Sequence, residues 1–457
     1  MKQLGRAIAF GAAAALIATG LMAPATATAA TAPKAGDRCA PNQVGKTVNA
    51  LRCVKDGNRR KWQAAAVPTT AVAGATATAT TVAAGGGSKE PVKLGVAIGI
   101  SGASTANLAQ DQNIGVKLAE KFINERGGIN GRPLKLSIQD TGSDEAGANA
   151  AFNTLINADK VVGIVGPTLS QQAFSADKLA ESAKIPVLGP SNTAAGVPQI
   201  GDYIARVSAG VANYAGNAVK YAAKLTPISK AAVFYAQDDA FSRNETAVFQ
   251  AAVKALGAEL LPPQTFQVND TDFTTAVQFV QNNKPDLVVV SGLASSGNLV
   301  KQLRDVGYGG LIVGGNGLNV VQTFSVCKKQ CDGLIVAQAY SPDIPAQGIN
   351  VDFRKAFVAE QKRDPGQIAA QAFTGIIVFA EALRALDKAG KLDQPLEQLR
   401  IDLNKQILSA AYETPLGDIS FDKDGDVIQK NFYVAQIKML RGDTTDVFSG
   451  KFNFVKF

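Results

Sequence analysis

Two segments, Gly166-Pro167-Thr168-Leu169-Ser170 and Gly189-Pro190-Ser191-Asn192-Thr193, each follow an apolar run and carry hydroxyl side chains where a strand should give way to a helix or loop. Unpaired backbone N–H groups at a helix start carry partial positive charge, and small Ser and Thr side chains beside them donate further hydrogen bonds without blocking access. The chemistry this favours is capture of an anion, with a carboxylate as the natural guest.

Catalysis has little to work with. The chain contains no histidine, which removes the usual general base, the Ser-His and Cys-His pairs and most catalytic zinc sites. There is no Gly-x-Ser-x-Gly elbow, no Walker-type phosphate loop and no Gly-x-Gly-x-x-Gly opening a helix; Gly99-Ile100-Ser101-Gly102 and Gly314-Gly315-Asn316-Gly317 read as turns. Asp238 and Asp239 follow a strand, but neighbours on extended backbone point to opposite faces, so loop capping or solvation outweighs a catalytic dyad. Phe421-Asp422-Lys423-Asp424-Gly425-Asp426 is superficially like a calcium loop, yet it lacks an acid at the twelfth position and is flanked by alternating apolar runs, so a β-hairpin turn is expected. No metal, no cofactor and no enzymatic activity are expected.

The elements that must position these groups alternate. Strand-like runs at Val92–Ile98, Leu134–Gln139 and Val161–Val165 are separated by helical patterns at Asp111–Asn124 and Asp144–Asn157, and a further helix follows at Gln171–Ala183. A second series begins after Tyr203–Val207, with strands at Ala231–Tyr235, Leu287–Ser291 and Leu311–Val313 and helices near Asn244–Leu256, Phe273–Asn282 and Gly297–Val306. Two such series predict an α/β protein of two doubly wound parallel-sheet lobes, with ligand held outside the carboxyl ends of the strands in the cleft between them.

Composition places this body outside the cytoplasm. Residues 1–30 read as an export leader: Lys2 and Arg6 give a basic start, Ala7–Leu21 is apolar, and Ala25-Thr26-Ala27 or Ala27-Thr28-Ala29 offers a small-residue cleavage site. No lipobox-like cysteine closes the apolar stretch, and no later run is expected to span a membrane. The formal charge of +8 is carried by the leader and by residues 31–63, where eight Lys and Arg face Asp37 and Asp56, so residues 64–457 are neutral. A basic groove for nucleic acid is thereby disfavoured. Residues 64–90 form an Ala/Thr/Val/Gly linker, which as a flexible coil spans roughly 25 to 30 Å.

Four cysteines in an exported chain are expected to be oxidised, in two local pairs. Cys39 with Cys53 would staple the small basic module 31–63, worth roughly 3 kcal/mol on the chain-entropy account, and Cys327 with Cys331 would pin a surface turn. A four-thiolate metal site is the competing reading, but the spacings do not match zinc patterns.

The ordered set Val92-Lys93-Leu94-Gly95-Val96 leading to Ser101-Gly102, then Asn124-Glu125-Arg126-Gly127-Gly128-Ile129-Asn130-Gly131-Arg132-Pro133-Leu134, Gln139-Asp140 and the two hydroxyl-bearing turns resembles the substrate-binding proteins of branched-chain amino-acid ABC importers (the leucine/isoleucine/valine-binding family) from about Pro91 to about Ala435. The resemblance implies a type I periplasmic-binding fold, with lobe I near 91–208 and 339–418 and lobe II near 209–338 and 419–457. Three hinge crossovers are then expected, near Val207–Ala209, near Ala337–Ala339 and after Tyr412, with closure of the lobes on ligand.

It further implies that Ser170, Ser191 and Thr193 meet the ligand carboxylate, the latter two also an α-amino group; simple helix capping is the bland alternative. Where the family places an acid for the ammonium, this chain has Asn316. Where it places pocket tyrosines, this chain has Phe241 and Leu293, with Asn107 or Leu108 near the first loop. Losing the acid argues for a small organic acid or amide-like ligand with an apolar body, unless Asp238 or Asp239 restores the charge.

The implied function is that of an exported solute-binding protein delivering a carboxylate to an ABC permease. A ligand-sensing receptor component on the same fold is the alternative, and a secreted enzyme is disfavoured. The module 31–63 resembles small Cys-containing segments of exported actinobacterial proteins; its charge suits either adhesion to an anionic envelope polymer or simple solubility.

Overall fold

The computed structural model describes residues 47–48, 51–56, 59–64, 90–102, 105–441 and 446–456, without side chains for the strands before residue 65 or for residues 106 and 107. The expected leader, the linker interior and the Cys39–Cys53 pairing lie outside the described residues, as does the side chain of Asn107. Residues 1–85 and 86–457 are separate units. In the first, β1 (Thr47–Val48), β2 (Leu51–Asp56) and β3 (Arg59–Ala64) form an antiparallel sheet that sets Cys53 opposite Trp62.

The second unit opens with β4 (Val92–Ile98), α1 (Ala106–Glu125), β5 (Leu134–Asp140), α2 (Glu145–Asn153, prolonged by a π-helical turn), β6 (Ile164–Val165), α3 (Ser170–Ser182), β7 (Val187–Gly189) and β8 (Ile204–Arg206). These strands make an all-parallel sheet in the order β5-β4-β6-β7-β8. The order reverses between β4 and β6, so a crevice is expected at their carboxyl ends, where the segments after Ile98 and Val165 emerge. There Gly166 adopts φ 151°, and any Cβ on it would stand 2.3 Å from the Ala97 carbonyl oxygen, so only glycine fits.

After α4 (Gly216–Leu225) come β9 (Lys230–Ala236), α5 (Ala240–Ala255), β10 (Glu259–Leu260), β11 (Gln264–Phe266), α6 (Thr274–Asn283), β12 (Leu287–Ser291), α7 (Gly297–Asp305), β13 (Leu311–Gly314), α8 (Gln322–Cys327) and β14 (Ile335–Gln338). The chain then returns to pack on the first sheet through α9 (Ile349–Gln361), α10 (Gln367–Lys388) and α11 (Leu396–Ser409). The small antiparallel sheet β15 (Tyr412–Thr414), β16 (Gly417–Phe421) and β17 (Val427–Ile428) precedes the closing strands β18 (Tyr433–Met439) and β19 (Gly450–Val455). The second large sheet runs β10-β9-β12-β13-β14-β18-β19, with β11 also on β9, and is parallel except at β14-β18 and β18-β19. β12, Leu-Val-Val-Val-Ser, is buried throughout, as a parallel strand covered on both faces must be. The chain passes between the two sheets three times: after Arg206, after Gln338 and before Tyr433. This is the expected two-lobed type I architecture.

Two readings need correction, and the hairpin expected at the calcium-like stretch is present. α10 is long and apolar enough to cross a membrane, contrary to the expectation that no later run would be, but 83% of its apolar window is buried inside the fold, so it is a core helix. It packs along α1 so closely that a Cβ on Gly115 would lie 2.4 Å from the Ala369 carbonyl oxygen. Cys327 and Cys331 are paired, yet both are fully buried rather than on a surface turn, because α8 and the turn after it pack against α7 and β18. The calcium-like stretch is the hairpin turn between β16 and β17, where Asp422 accepts the backbone N–H groups of Asp424 and Asp426.

Candidate functional site

The two hydroxyl-bearing turns meet at the carboxyl ends of β6 and β7, held by one side chain from α1. Gln112 Oε1 accepts from Thr168 Oγ1 at 2.7 Å, and its Nε2 donates to Ser191 Oγ at 2.8 Å. Thr168 Oγ1 in turn accepts the Gly99 N–H at 3.0 Å, tying the β4 and β6 ends together at the switch point, and Ser191 Oγ donates to the Thr168 carbonyl at 2.5 Å. The second turn is fixed from behind by Arg206. Its guanidinium donates to the carbonyls of Asn192 (2.9 Å) and Ala194 (2.6 Å) and grips Asp426 through two 2.7 Å bonds. Pulling those carbonyls toward a buried cation turns the N–H side of the loop to α3, where Ala194 N donates to Ser170 Oγ at 3.3 Å.

The three hydroxyls therefore differ. Ser191 already donates and accepts within the protein. Ser170 accepts one bond and its hydroxyl donates to no partner among the described residues, at the N-terminus of α3, whose preceding Leu169 offers no capping side chain. Thr193 Oγ1 is buried with no partner among the described residues. An unpartnered buried hydroxyl costs roughly 1 to 3 kcal/mol, so Thr193 is the group whose bonding a ligand would complete.

The facing wall comes from the second lobe. Phe241 enters on the first turn of α5, Leu293 follows β12, and Asn316 follows β13. Together with Leu108, Thr168, Leu169, Gly317 and Ile368 they close a cavity of about 30 Å³ around Ser170, Ser191 and Thr193, so any solute larger than a water molecule must part the two walls to enter. Six of the seven residues singled out from the sequence thus line one recess, and at the first loop the side chain found there is Leu108.

Asp238 and Asp239 do not restore a charge. Asp239 caps α5 through Ser242 N (2.8 Å) and Oγ (2.6 Å), and Asp238 accepts Val268 N at 2.8 Å; neither lines the cavity. Helix capping thus engages Asp239, and a loop N–H engages Asp238.

Sequence reasoning missed the acid that does stand nearby. Glu245, one turn along α5 from Phe241, is completely buried beneath the wall and accepts from Asn316 N at 2.7 Å and Ser291 Oγ at 2.6 Å. Burial pushes its carboxyl up to about 7, against the pull of those two bonds. Also missed was Gln367, the first residue of α10. Its Nε2 donates to Asn316 Oδ1 at 3.0 Å, while its Oε1 accepts from Asn319 Nδ2 at 3.0 Å and Ala339 N at 2.6 Å, bridging the first lobe, the second lobe and a crossover. A further bond across the cleft runs from Ala195 N to Asn244 Oδ1 at 3.1 Å. Among the described residues no cluster of His, Cys, Asp or Glu suited to a metal ion occurs.

Two α/β lobes joined by three crossovers, with facing loops closed over a hydroxyl-rich recess, have the build of a ligand-trapping protein. The chain belongs to the periplasmic binding protein family, whose profile matches residues 91–445. It is 25% identical over 346 residues to the leucine-, isoleucine-, valine-, threonine- and alanine-binding protein of Pseudomonas aeruginosa, covering 74% of this chain and 88% of that protein. Among solved structures it is similar to the leucine-binding protein LivK of Thermotoga maritima (TM-score 0.70, 20% identity, 79% of this chain and 97% of that one). It is also similar to an ABC-transporter solute-binding protein of Rhodopseudomonas palustris in complex with 3,4-dihydroxybenzoic acid (TM-score 0.67, 24% identity, 77% and 94%).

Proposed function

We propose that this chain is the exported solute-binding component of an ABC importer and captures a small acid or amide that pairs a carboxylate-like group with an apolar body and carries no ammonium group. The observation that bears most weight is the asymmetry of the recess: Thr193 Oγ1 waits unpartnered beside the α3 N-terminus on one wall, while the opposite wall presents Asn316 and no carboxylate. An ammonium held against that wall would lose its hydration without gaining a counter-charge, which is costly in a buried site. Leu108, Leu169, Phe241, Leu293 and Ile368 supply the apolar surround. The Rhodopseudomonas palustris relative with its dihydroxybenzoic acid offers a precedent for such a ligand on this fold, whereas the Pseudomonas aeruginosa relative is named for amino acids.

In this reading Ser170 and Thr193 donate to the ligand's oxygens, Asn316 and the apolar residues close from the other lobe, and Ser191 orders the turn. No bond is made or broken. Closure follows ligand because contacts from both walls coexist only when the lobes meet. Calorimetric titration of the full chain with benzoate, 4-hydroxybenzoate, 3,4-dihydroxybenzoate, leucine, isoleucine and valine tests it. Binding confined to the acids that lack an amino group is the expected result, and tight leucine or valine binding overturns it.

The basic module 31–63, with its Cys39–Cys53 staple, acts in the same proposal as an adhesive for anionic envelope polymer, holding the lobes near the permease. Salt-dependent retention of the full chain on isolated cell wall is expected, with loss on removal of residues 31–63.

A further inference from the structure

The second lobe gives Phe241, Leu293, Asn316 and Gly317 to the recess, and of these only Asn316 has a polar side chain. It is 8% exposed. Which end of its amide meets a solute decides what that wall accepts, because the oxygen takes hydrogens and the NH2 gives them.

The orientation is dictated by a chain of bonds that starts at a backbone group. The Ala339 N–H can only donate, so Gln367 must turn Oε1 toward it, and the same oxygen takes the Asn319 amide. Gln367 Nε2 is then the atom that meets Asn316, and a donor there requires an acceptor, so Asn316 turns Oδ1 back to Gln367. The reversed amide would set two NH2 groups face to face. Asn316 Nδ2 is left with both hydrogens and no partner among the described residues, on a side chain that lines the recess. Glu245 fixes the backbone beneath it through Asn316 N, has its other oxygen engaged by Ser291, and does not itself line the recess.

Donors therefore face the recess from both lobes: the Ser170 and Thr193 hydroxyls on one wall, the Asn316 amide on the other. An ammonium group, which presents only hydrogens, would meet another donor at Asn316, and a lone carboxylate would satisfy one wall. Since all three side chains line a single narrow recess, they meet the same end of a solute. Resting on the carboxylate capture proposed above, we infer that Gln367 is a positioning residue that sets specificity. By fixing the Asn316 amide it selects acids with a second acceptor oxygen beside the carboxylate, of which 2-oxo acids are the simplest, the carboxylate at Ser170 and Thr193 and the oxo group at Asn316 Nδ2.

Calorimetric titration of the full chain with two matched series tests this: 4-methyl-2-oxopentanoate, 4-methylpentanoate and leucine, then 2-oxo-3-phenylpropanoate, 3-phenylpropanoate and phenylalanine. Within a series the members differ only at the atom next to the carboxylate. In at least one series the oxo acid should bind about tenfold or more tighter than the plain acid, the value of a hydrogen bond whose buried donor is otherwise left unmade, and the amino acid should not bind. In Gln367→Met the Asn316 amide is free to turn, so the ratio of oxo to plain acid should fall toward one; a purely structural role for Gln367 would weaken both acids equally and leave the ratio intact. Asn316→Asp puts an acceptor on that wall and should exchange preference for the oxo acid for preference for the amino acid. Equal binding of oxo and plain acids by the native chain overturns this inference and leaves the carboxylate reading standing, whereas tight leucine or phenylalanine binding overturns both. A ratio unchanged in Gln367→Met, or no binding in either series, also overturns the inference.

Discussion

Gln367 Nε2 donates to Asn316 Oδ1 at 3.0 Å, so the first residue of α10 in one lobe holds a residue of the recess wall that the other lobe supplies. Gln367 Oε1 accepts from Asn319 Nδ2 and from the backbone N–H of Ala339. One side chain thus couples the facing wall of the recess to a crossover, and the arrangement exists only with the lobes together.

Replacing that side chain with Met keeps its length and removes three buried hydrogen bonds from the closed state alone. At roughly 1 kcal/mol or more for the groups left unpaired, Gln367→Met should lower apparent ligand affinity about tenfold. Small-angle scattering should show a more open ligand-free chain; unaltered affinity and dimensions would mean the bridge does not govern closure.

Thr193→Val removes a hydroxyl that has no partner without a ligand. The ligand-free protein should melt at the same temperature or slightly higher, while affinity for the acid falls about tenfold or more, the value of a hydrogen bond to a charged group. Thr193→Ser should retain most of the affinity. A variant that loses stability but not affinity would assign the hydroxyl to the fold.

Glu245 makes stability depend on pH in a definite direction. Its folded value of about 7 lies above its ordinary 4.5, so the folded state holds the proton more tightly than the unfolded chain. Its full contribution is present below about pH 4.5 and is lost as pH rises toward 7, a change of about 3 kcal/mol. Buried Asp111, Asp177 and Asp239 are displaced upward as well and act in the same sense from lower pH. Denaturant unfolding of the native chain and of Glu245→Gln, compared from pH 4.5 to 8, isolates the term: the difference should grow with pH in favour of the variant. A difference independent of pH would sink the assignment.

Arg206→Lys tests the support behind the second turn. Lysine keeps the charge but cannot reach Asp426, Asn192 O and Ala194 O together as the planar fork does. Loss of a few kcal/mol of stability is expected, about the cost of disrupting a buried pair, with weaker ligand binding. Amide exchange should quicken at Ser191–Ala195, and no change there would show the loop to be self-supporting.

The lobes were legible because their strands are short apolar runs broken by turns: Leu287–Ser291 and Val92–Ile98 match the observed elements residue for residue. The hydroxyl turns were legible because Gly-Pro followed by Ser and Thr has few structural uses at a strand end. Glu245 was not, since a glutamate inside a helical pattern reads as solvated until burial by β12 and the Asn316 loop is known. Gln367 was hidden for another reason: it lies 51 positions from Asn316, and nothing local says which side chain a long-range fold will bring opposite. Asp238 and Asp239 were legible as capping groups, because a carboxylate at a strand end meets the free N–H groups of the turn first.

The close seating of Gly115 against Ala369 reaches beyond packing. A methyl group at that position must shift the opening turn of α10, and with it Ile368 and Gln367, which respectively contour the recess and latch its far wall. On the proposed reading, solute preference is adjustable from a residue that never meets the solute, by a lever whose fulcrum is a single missing carbon.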